Sequence, residues 1–281
     1  MLTGSRDYPG AALMSVRAAL NTGVGMVRFN GKDDTLRTLM LGQNPETVCF
    51  TGPTAHEHVH AWAGGSGTGP ETLDHNRYLL NAPEPAILDA GAVDLAADYL
   101  MAGHSLGEHK ILTPHAGELE RFLRRIHEHS PQRWEEMLDG ALVPSREDIN
   151  AEPFRWVRAA CELSGATVML KGSTTLIAAP VGATYSVHGA TGWLATAGSG
   201  DTLTGILGAL LAQYMAAAQE RHEQVEGCTY ASLAALAVYL HNRAALASLE
   251  GCKGPVPPSR VAAYLPQAIA GLLDEKAVLD D

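Results

Sequence analysis

The chain predicts an α/β fold: a mostly parallel central sheet, helices on both faces, and a late antiparallel excursion of strands. Three observations lead there. Short β-type runs alternate with helical stretches from the start. Two of those runs, Ala86–Asp89 (AILD) and Ile111–Thr113 (ILT), are apolar and end on a polar residue, as buried strands do where they open onto a crevice. From Ala159 on, the pattern changes to closely spaced strands followed by a glycine-rich helix entrance.

Taken in order, Gly10–Leu20 is alanine-rich with apolar residues at helical spacing, and Gly23 and Gly25 close it. Met26–Phe29 and Thr47–Phe50 are short strands. Asp89 and Thr113–His115 lie at the ends of AILD and ILT and become site candidates by position. Pro131–Pro153 is charged and carries Pro144 between helical stretches, which predicts a surface insertion. Val168–Lys171 (VMLK) is a strand running into the turn Gly172–Ser173. Thr174–Ala179 and Thr184–Val187 then form an antiparallel pair around Pro180–Gly182. Thr196–Asp201 (TAGSGD) opens a long apolar helix reaching about Gln213, and a helix over about Thr229–Leu249 is apolar on most faces, hence buried. No internal repeat or low-complexity segment divides residues 1–281, so one domain is expected.

Composition narrows the partners. Apolar residues are 46% of the chain, enough for a large core, and the formal net charge is -11. An acidic surface repels phosphate backbones, which argues against nucleic acid. A site for an anionic nucleotide must therefore gather positive potential locally, from single lysines and backbone N–H groups. Cys49, Cys161, Cys228 and Cys252 show no paired spacing, which fits reduced thiols in the cytoplasm. The start MLTGSRDYPG is no signal peptide, and the apolar runs Ile206–Leu211 and Leu233–Leu240 are too short for a membrane span.

The chemistry concentrates in three segments. In ATAGSGDTLTGILGALLAQ (Ala195–Gln213), Gly198, Ser199 and Gly200 precede a helix. Small residues there let the first unpaired N–H groups, at the positive end of the helix dipole, approach a phosphate closely. Asp201 stands at the mouth of that anion hole, where a carboxylate can take a proton from a hydroxyl; equally, it could simply cap the helix. Gly205 and Gly208 should allow close helix packing. LKGSTTLI (Leu170–Ile177) puts Lys171 at a strand end, within reach of nucleotide phosphates. LTPHAGELERFL (Leu112–Leu123) ends a strand at Pro114, turns His115 toward the crevice, and opens a helix with Glu118 near its positive end.

Together these three segments, in this order, resemble the ADP-dependent (S)-NAD(P)H-hydrate dehydratase family of the ribokinase-like superfamily. So do GSRDYPGAALMSVRAALNTGVGMVR (Gly4–Arg28), GGSGTG (Gly64–Gly69), ILDAGAVDLAA (Ile87–Ala97) and VYLHNRAALAS (Val238–Ser248). The resemblance implies a ribokinase-like fold and the repair of hydrated NADH or NADPH, driven by ADP or ATP with Mg2+. It implies Asp201 as catalytic base, and Lys171, Gly172, Ser173, Thr174, Thr175, Gly198, Ser199 and Gly200 around the adenine nucleotide. Ala11, Gly67, Gly69, His115 and Asp201 would contact the hydrated nicotinamide nucleotide. It further implies a cytoplasmic homotetramer, working alongside an NAD(P)H-hydrate epimerase. Two departures stand out. The chain begins where the family's first strand would be ending, and Trp193–Leu194 replaces an Asn-Pro-Gly-Met run common in the family.

Rival readings share parts of this pattern. A ribokinase-like kinase of a vitamin-precursor alcohol would keep Asp201 and the anion hole but release a phosphorylated product. A nucleotide sensor would need no base at position 201. A metal enzyme is suggested by His56, Glu57, His58 and His60 (HEHVH), but the spacing suits neither one helix face nor one strand face. His127, Glu128 and His129 read the same way, as solvated residues, and Trp62, Trp134 and Trp156 read as packing residues.

Overall fold

A sheet whose strands are buried on both faces must split its side chains between two cores, because successive residues point to opposite sides. The computed structural model, which describes residues 1–69, 72–182, 184–251 and 253–279, shows this alternation. The main sheet runs β3 (Trp62–Gly64), β4 (Ala86–Leu88), β5 (Lys110–Leu112), β6 (Thr167–Leu170), β7 (Thr175–Ala178) and β8 (Thr184–Val187), in that spatial order. Strands β3 to β6 pair in parallel, and β7 and β8 return antiparallel as expected. Leu88, Leu112, Val168 and Leu170 face one core with helices α3 (Leu73–Asn81), α4 (Gly91–Met101), α5 (Ala116–His129) and α8 (Pro153–Ser164). Their neighbours Ile87, Ile111, Met169 and Ile177 face the other core with α9 (Ser199–Arg221), α10 (Gly227–Ser248) and α11 (Pro258–Leu279).

A second, two-stranded parallel sheet joins β1 (Arg28–Asn30) and β2 (Val48–Phe50), with α1 (Pro9–Asn21) and α2 (Asp34–Gln43) packed nearby. The first two residues bridge the sheets. Met1 exchanges hydrogen bonds with Arg28 and Asn30, while Leu2 exchanges them with Ala63 and Gly65. Leu2 thus lies parallel to β3, at the place where the resemblance puts the end of a first strand. Beside Met1 a cavity of about 620 Å³ opens between β1 and β3, floored by Gly208, Ala209 and Ala212 of α9.

Several expectations shift. The segment Pro131–Pro153 is no surface insertion: α6 (Pro131–Leu138) and α7 (Arg146–Ala151) bury Trp134 and Ile149 in the first core. Each of these short helices buries only one large side chain, too few to show periodicity. Helix α9 continues past Gln213 to Arg221, ending where His222 takes a left-handed conformation. Strand β3 has no β-branched residue to announce it. Gly205 does permit close helix packing, since a Cβ there would lie 2.1 Å from the Ser15 carbonyl of α1. Gly208 does not: its nearest neighbour would be the Met1 side chain at 3.4 Å, an ordinary contact. Cys49, Cys161 and Cys228 are free thiols, and Cys252 lies outside the described residues. Trp62, Trp134 and Trp156 are buried, as expected.

Candidate active site

The crevice lies along the carboxyl ends of β3 to β6, where the sheet's loops meet the start of α9. Gly198 caps α9 at φ 91°, and Thr202 N donates to its carbonyl as the first intrahelical bond. The N–H groups of Gly200 and Asp201 precede that bond and remain available at the positive end of the dipole. Glycine is favoured at 198 by that left-handed backbone, in which an L side chain is strained.

Asp201 occupies the first turn of α9, half-buried, with Ser66 Oγ donating to its Oδ1. Burial pushes its carboxyl above the usual carboxylate range. The Ser66 hydrogen bond and the Lys171 charge oppose that rise, and the Asp89 charge adds to it.

Lys171 directly follows β6, hydrogen-bonded through its N–H to the Pro114 carbonyl. Its ammonium turns inward, 2.6 Å from Asp89 Oδ1 and 3.9 Å from Glu118 Oε2. Burial would lower the Lys171 pKa, but the Asp89 and Glu118 carboxylates outweigh it and raise the pKa instead. Nζ also comes 3.5 Å from where a Gly200 side chain would begin. Asp89 is fully buried at the end of β4. It accepts from Thr113 Oγ1 at 2.8 Å and from Thr204 Oγ1 of α9 at 3.3 Å. Burial alone would raise the Asp89 pKa; Lys171, the Thr113 hydroxyl and the Ala90 backbone N–H hold it below its ordinary value. The next residue, Ala90, has φ 45° and ψ -115°, a strained conformation held by this network.

The glycine loop closes the crevice from the β3 side. Gly65 has φ 102°, and a Cβ there would lie 1.9 Å from the Asp89 carbonyl. Gly67 packs on Ala11 of α1, where a Cβ would be 2.5 Å from the alanine methyl, and Gly69 N donates to Thr72 Oγ1. His115 caps α5. Its Nδ1 accepts from Gly117 N and Glu118 N, while Glu118 Oε2 accepts from His115 N. His115 Nε2 lies 3.6 Å from Glu118 Oε1, and His115 is joined to Lys171 by a parallel bridge. Gly172, Ser173 and Thr174 form an exposed turn beyond Lys171, and Thr175 begins β7. Trp193 is half exposed on a 3-10 turn just before the α9 entrance.

The structure thus brings Asp201, Lys171, the α9 entrance and the glycine loop together. It differs from expectation in aiming the Lys171 ammonium at carboxylates. Ser66, Glu118 and Thr204 complete the site; Ser66 was visible only as part of GGSGTG. The HEHVH segment lies elsewhere: the His58 and His60 rings meet edge-on at 5.8 Å, and Glu57 pairs with Arg28. Among the described residues, no group of three or more His, Cys, Asp or Glu side chains could hold a metal ion.

The chain is similar to known proteins over most of its length. A family model described as NAD(P)H-hydrate dehydratase matches residues 1–266. The bifunctional NAD(P)H-hydrate repair enzyme Nnr of Mycobacterium tuberculosis is 36% identical over 75% of this chain and 40% of its own length. The ADP-dependent (S)-NAD(P)H-hydrate dehydratase of Neisseria meningitidis is 33% identical over 75% of this chain and 67% of its own. The chain therefore spans about 40% of the first of these relatives. The crystal structure of the ADP/ATP-dependent NAD(P)H-hydrate dehydratase from Bacillus subtilis, co-crystallized with ATP/Mg2+, superposes with a TM-score of 0.71 at 25% identity. It covers 95% of this chain and 87% of that one, and the shared architecture is ribokinase-like. A glycine-capped helix entrance with its aspartate, a lysine-bearing strand end and a His-capped helix are thus set in a fold matched almost end to end, and the chain belongs to the NAD(P)H-hydrate dehydratase family.

Proposed function

We propose that this chain dehydrates the hydrate of NADH or NADPH back to the reduced cofactor, with ADP or ATP as co-substrate. Hydroxide is a poor leaving group. Phosphorylating the ring hydroxyl turns it into phosphate, which departs as the ring nitrogen's electron pair forms the new double bond. Asp201 accepts the hydroxyl proton as that oxygen attacks the terminal phosphorus and the nucleotide leaves one phosphate shorter. Breaking the C–O bond then releases inorganic phosphate, and loss of a ring proton restores the dihydronicotinamide.

One observation carries this reading. Asp201 stands where the α9 entrance meets the glycine loop, touching Ser66 on one side and close to Lys171 on the other. An incoming ring hydroxyl would take the place of the Ser66 hydroxyl. Gly198, Ser199 and Gly200, with the turn Lys171–Thr175, would hold the nucleotide phosphates. Ala11, Gly67, Gly69 and His115 would line the hydrate's side. A Mg2+ ion bound together with the nucleotide would supply positive charge against the transferring phosphoryl group.

The same reading makes residues 1–281 one working domain in a cytoplasmic homotetramer, supplied with the correct epimer by a separate epimerase activity. Among the described residues no helix is long and apolar enough to cross a membrane. Light scattering of the purified chain tests the tetramer. The activity is tested by mixing protein, hydrated NADPH, nucleotide and Mg2+, and following the return of reduced-ring absorbance with release of phosphate. A stable phosphorylated product without that return would instead mark a kinase.

A further inference from the structure

The reacting ring is one end of a dinucleotide, so its pyrophosphate and adenosine must leave the crevice along the glycine loop. On one side that loop meets the α9 entrance, already assigned to the co-substrate. On the other side Gly4 N donates to Ser66 O at 2.7 Å and Gly65 N to Leu2 O at 3.3 Å. Residues 2–6 are thereby stitched to the loop that touches Asp201.

Beyond this stitch lies a separate cavity of about 250 Å³, lined by residues 2–6, the loop after β1 and the start of α2, and α3. Two of its lining residues carry a buried polar atom with no hydrogen-bond partner: Thr3 Oγ1, and Asn76 Oδ1 packed beside Gly64, in residues 3% and 0% exposed. Orphaned polar atoms in residues this buried are costly unless something else satisfies them. Two cations, Arg6 and Lys32, also line the cavity of a chain whose net charge is -11. Its one lining carboxylate, Asp33, is occupied: Oδ1 accepts from Leu36 N at 2.8 Å, and Oδ2 pairs with Arg6 at 3.2 Å. His75, also on the wall, shares a hydrogen bond with Thr54. Hydroxyl-seeking atoms beside paired cations match a phosphorylated ribose.

We infer that this cavity holds the phosphate-bearing ribose of the substrate's adenosine half, so that the chain favours the hydrate of NADPH over that of NADH. The inference rests on the proposed dehydratase reading. Lys32 and Arg6 would contact the extra phosphate, and a side-chain shift of Thr3 and Asn76 would bring their unpaired oxygens to the ribose hydroxyls.

The test measures kcat/KM for both hydrates with the full chain and with Lys32→Ala, Arg6→Ala and the double variant. The native chain should prefer the NADPH form about tenfold or more, the worth of one charge-assisted contact. The variants should bring that ratio toward one, with the loss in KM for the NADPH form. A second measurement needs no turnover: calorimetry should show 2′,5′-ADP binding the native chain more tightly than 5′-AMP, and Lys32→Ala erasing the difference. Equal kcat/KM for the two hydrates, or a ratio unmoved in the double variant, overturns this inference and leaves the dehydratase reading standing. Absence of turnover with either hydrate retires both.

Discussion

Lys171 Nζ and Asp89 Oδ1 lie 2.6 Å apart on the floor of the crevice, with Glu118 and Asp201 as the lysine's other acidic neighbours. The cation therefore ties the ends of β4 and β6 together, beneath the place assigned to phosphate. Removing one partner leaves the other's charge buried and uncompensated, which costs about 3–5 kcal/mol. Lys171→Met should be the more damaging change, because it leaves three carboxylates facing one another. Asp89→Asn leaves Lys171 with Glu118, so it should cost less. Urea unfolding of the two variants gives the order.

The raised pKa of Asp201 has a direction that kinetics can read. A base must be unprotonated, so activity falls as pH drops through its pKa. The acid limb of kcat/KM against pH should lie above the ordinary carboxylate range. Ser66 donates to Asp201 and lowers its pKa, so Ser66→Ala should move that limb to higher pH. An unmoved limb in Ser66→Ala would dissociate the limb from Asp201.

Two glycines should respond in opposite senses. Gly65→Ala drives a methyl to 1.9 Å from the Asp89 carbonyl at φ 102°, and should cost upward of about 3 kcal/mol with loss of activity. Gly208→Ala, in the middle of α9, meets nothing closer than 3.4 Å and should stabilise by about 0.5–1 kcal/mol through helix propensity. Melting temperatures of the pair test both.

His241 of α10 is buried, its Nε2 has no partner, and burial lowers its pKa from 6.5 to about 4. Above pH 6.5 both folded and unfolded chains carry it neutral, and it contributes nothing to pH dependence. Between 6.5 and about 4 only the unfolded chain takes up the proton, so stability drops as pH falls, by about 3 kcal/mol in all. His241→Gln should flatten that slope in denaturation curves recorded from pH 7 to pH 4.

How much of this was legible in the sequence follows from the kind of signal each part leaves. Strands buried on both faces, such as AILD and ILT, announce themselves as apolar runs with polar ends. The α9 entrance is a local motif, readable because its cap needs a left-handed backbone that glycine adopts without strain. Segments whose order comes from tertiary contact were not readable. Helices α6 and α7 each bury a single large residue, and β3 has only Trp62 to favour a strand, too little to announce one. The inward turn of Lys171 depends on Asp89, 82 positions away along the chain, and no local pattern encodes that pairing.

The central claim, that Asp201 is the base at a glycine-lined phosphate entrance, is tested most directly by Asp201→Asn assayed on hydrated NADPH with nucleotide and Mg2+. The account predicts a folded protein with native nucleotide affinity and a kcat lowered by about a thousandfold, at the scale of lost general-base catalysis. Turnover within a few-fold of the native chain would contradict it.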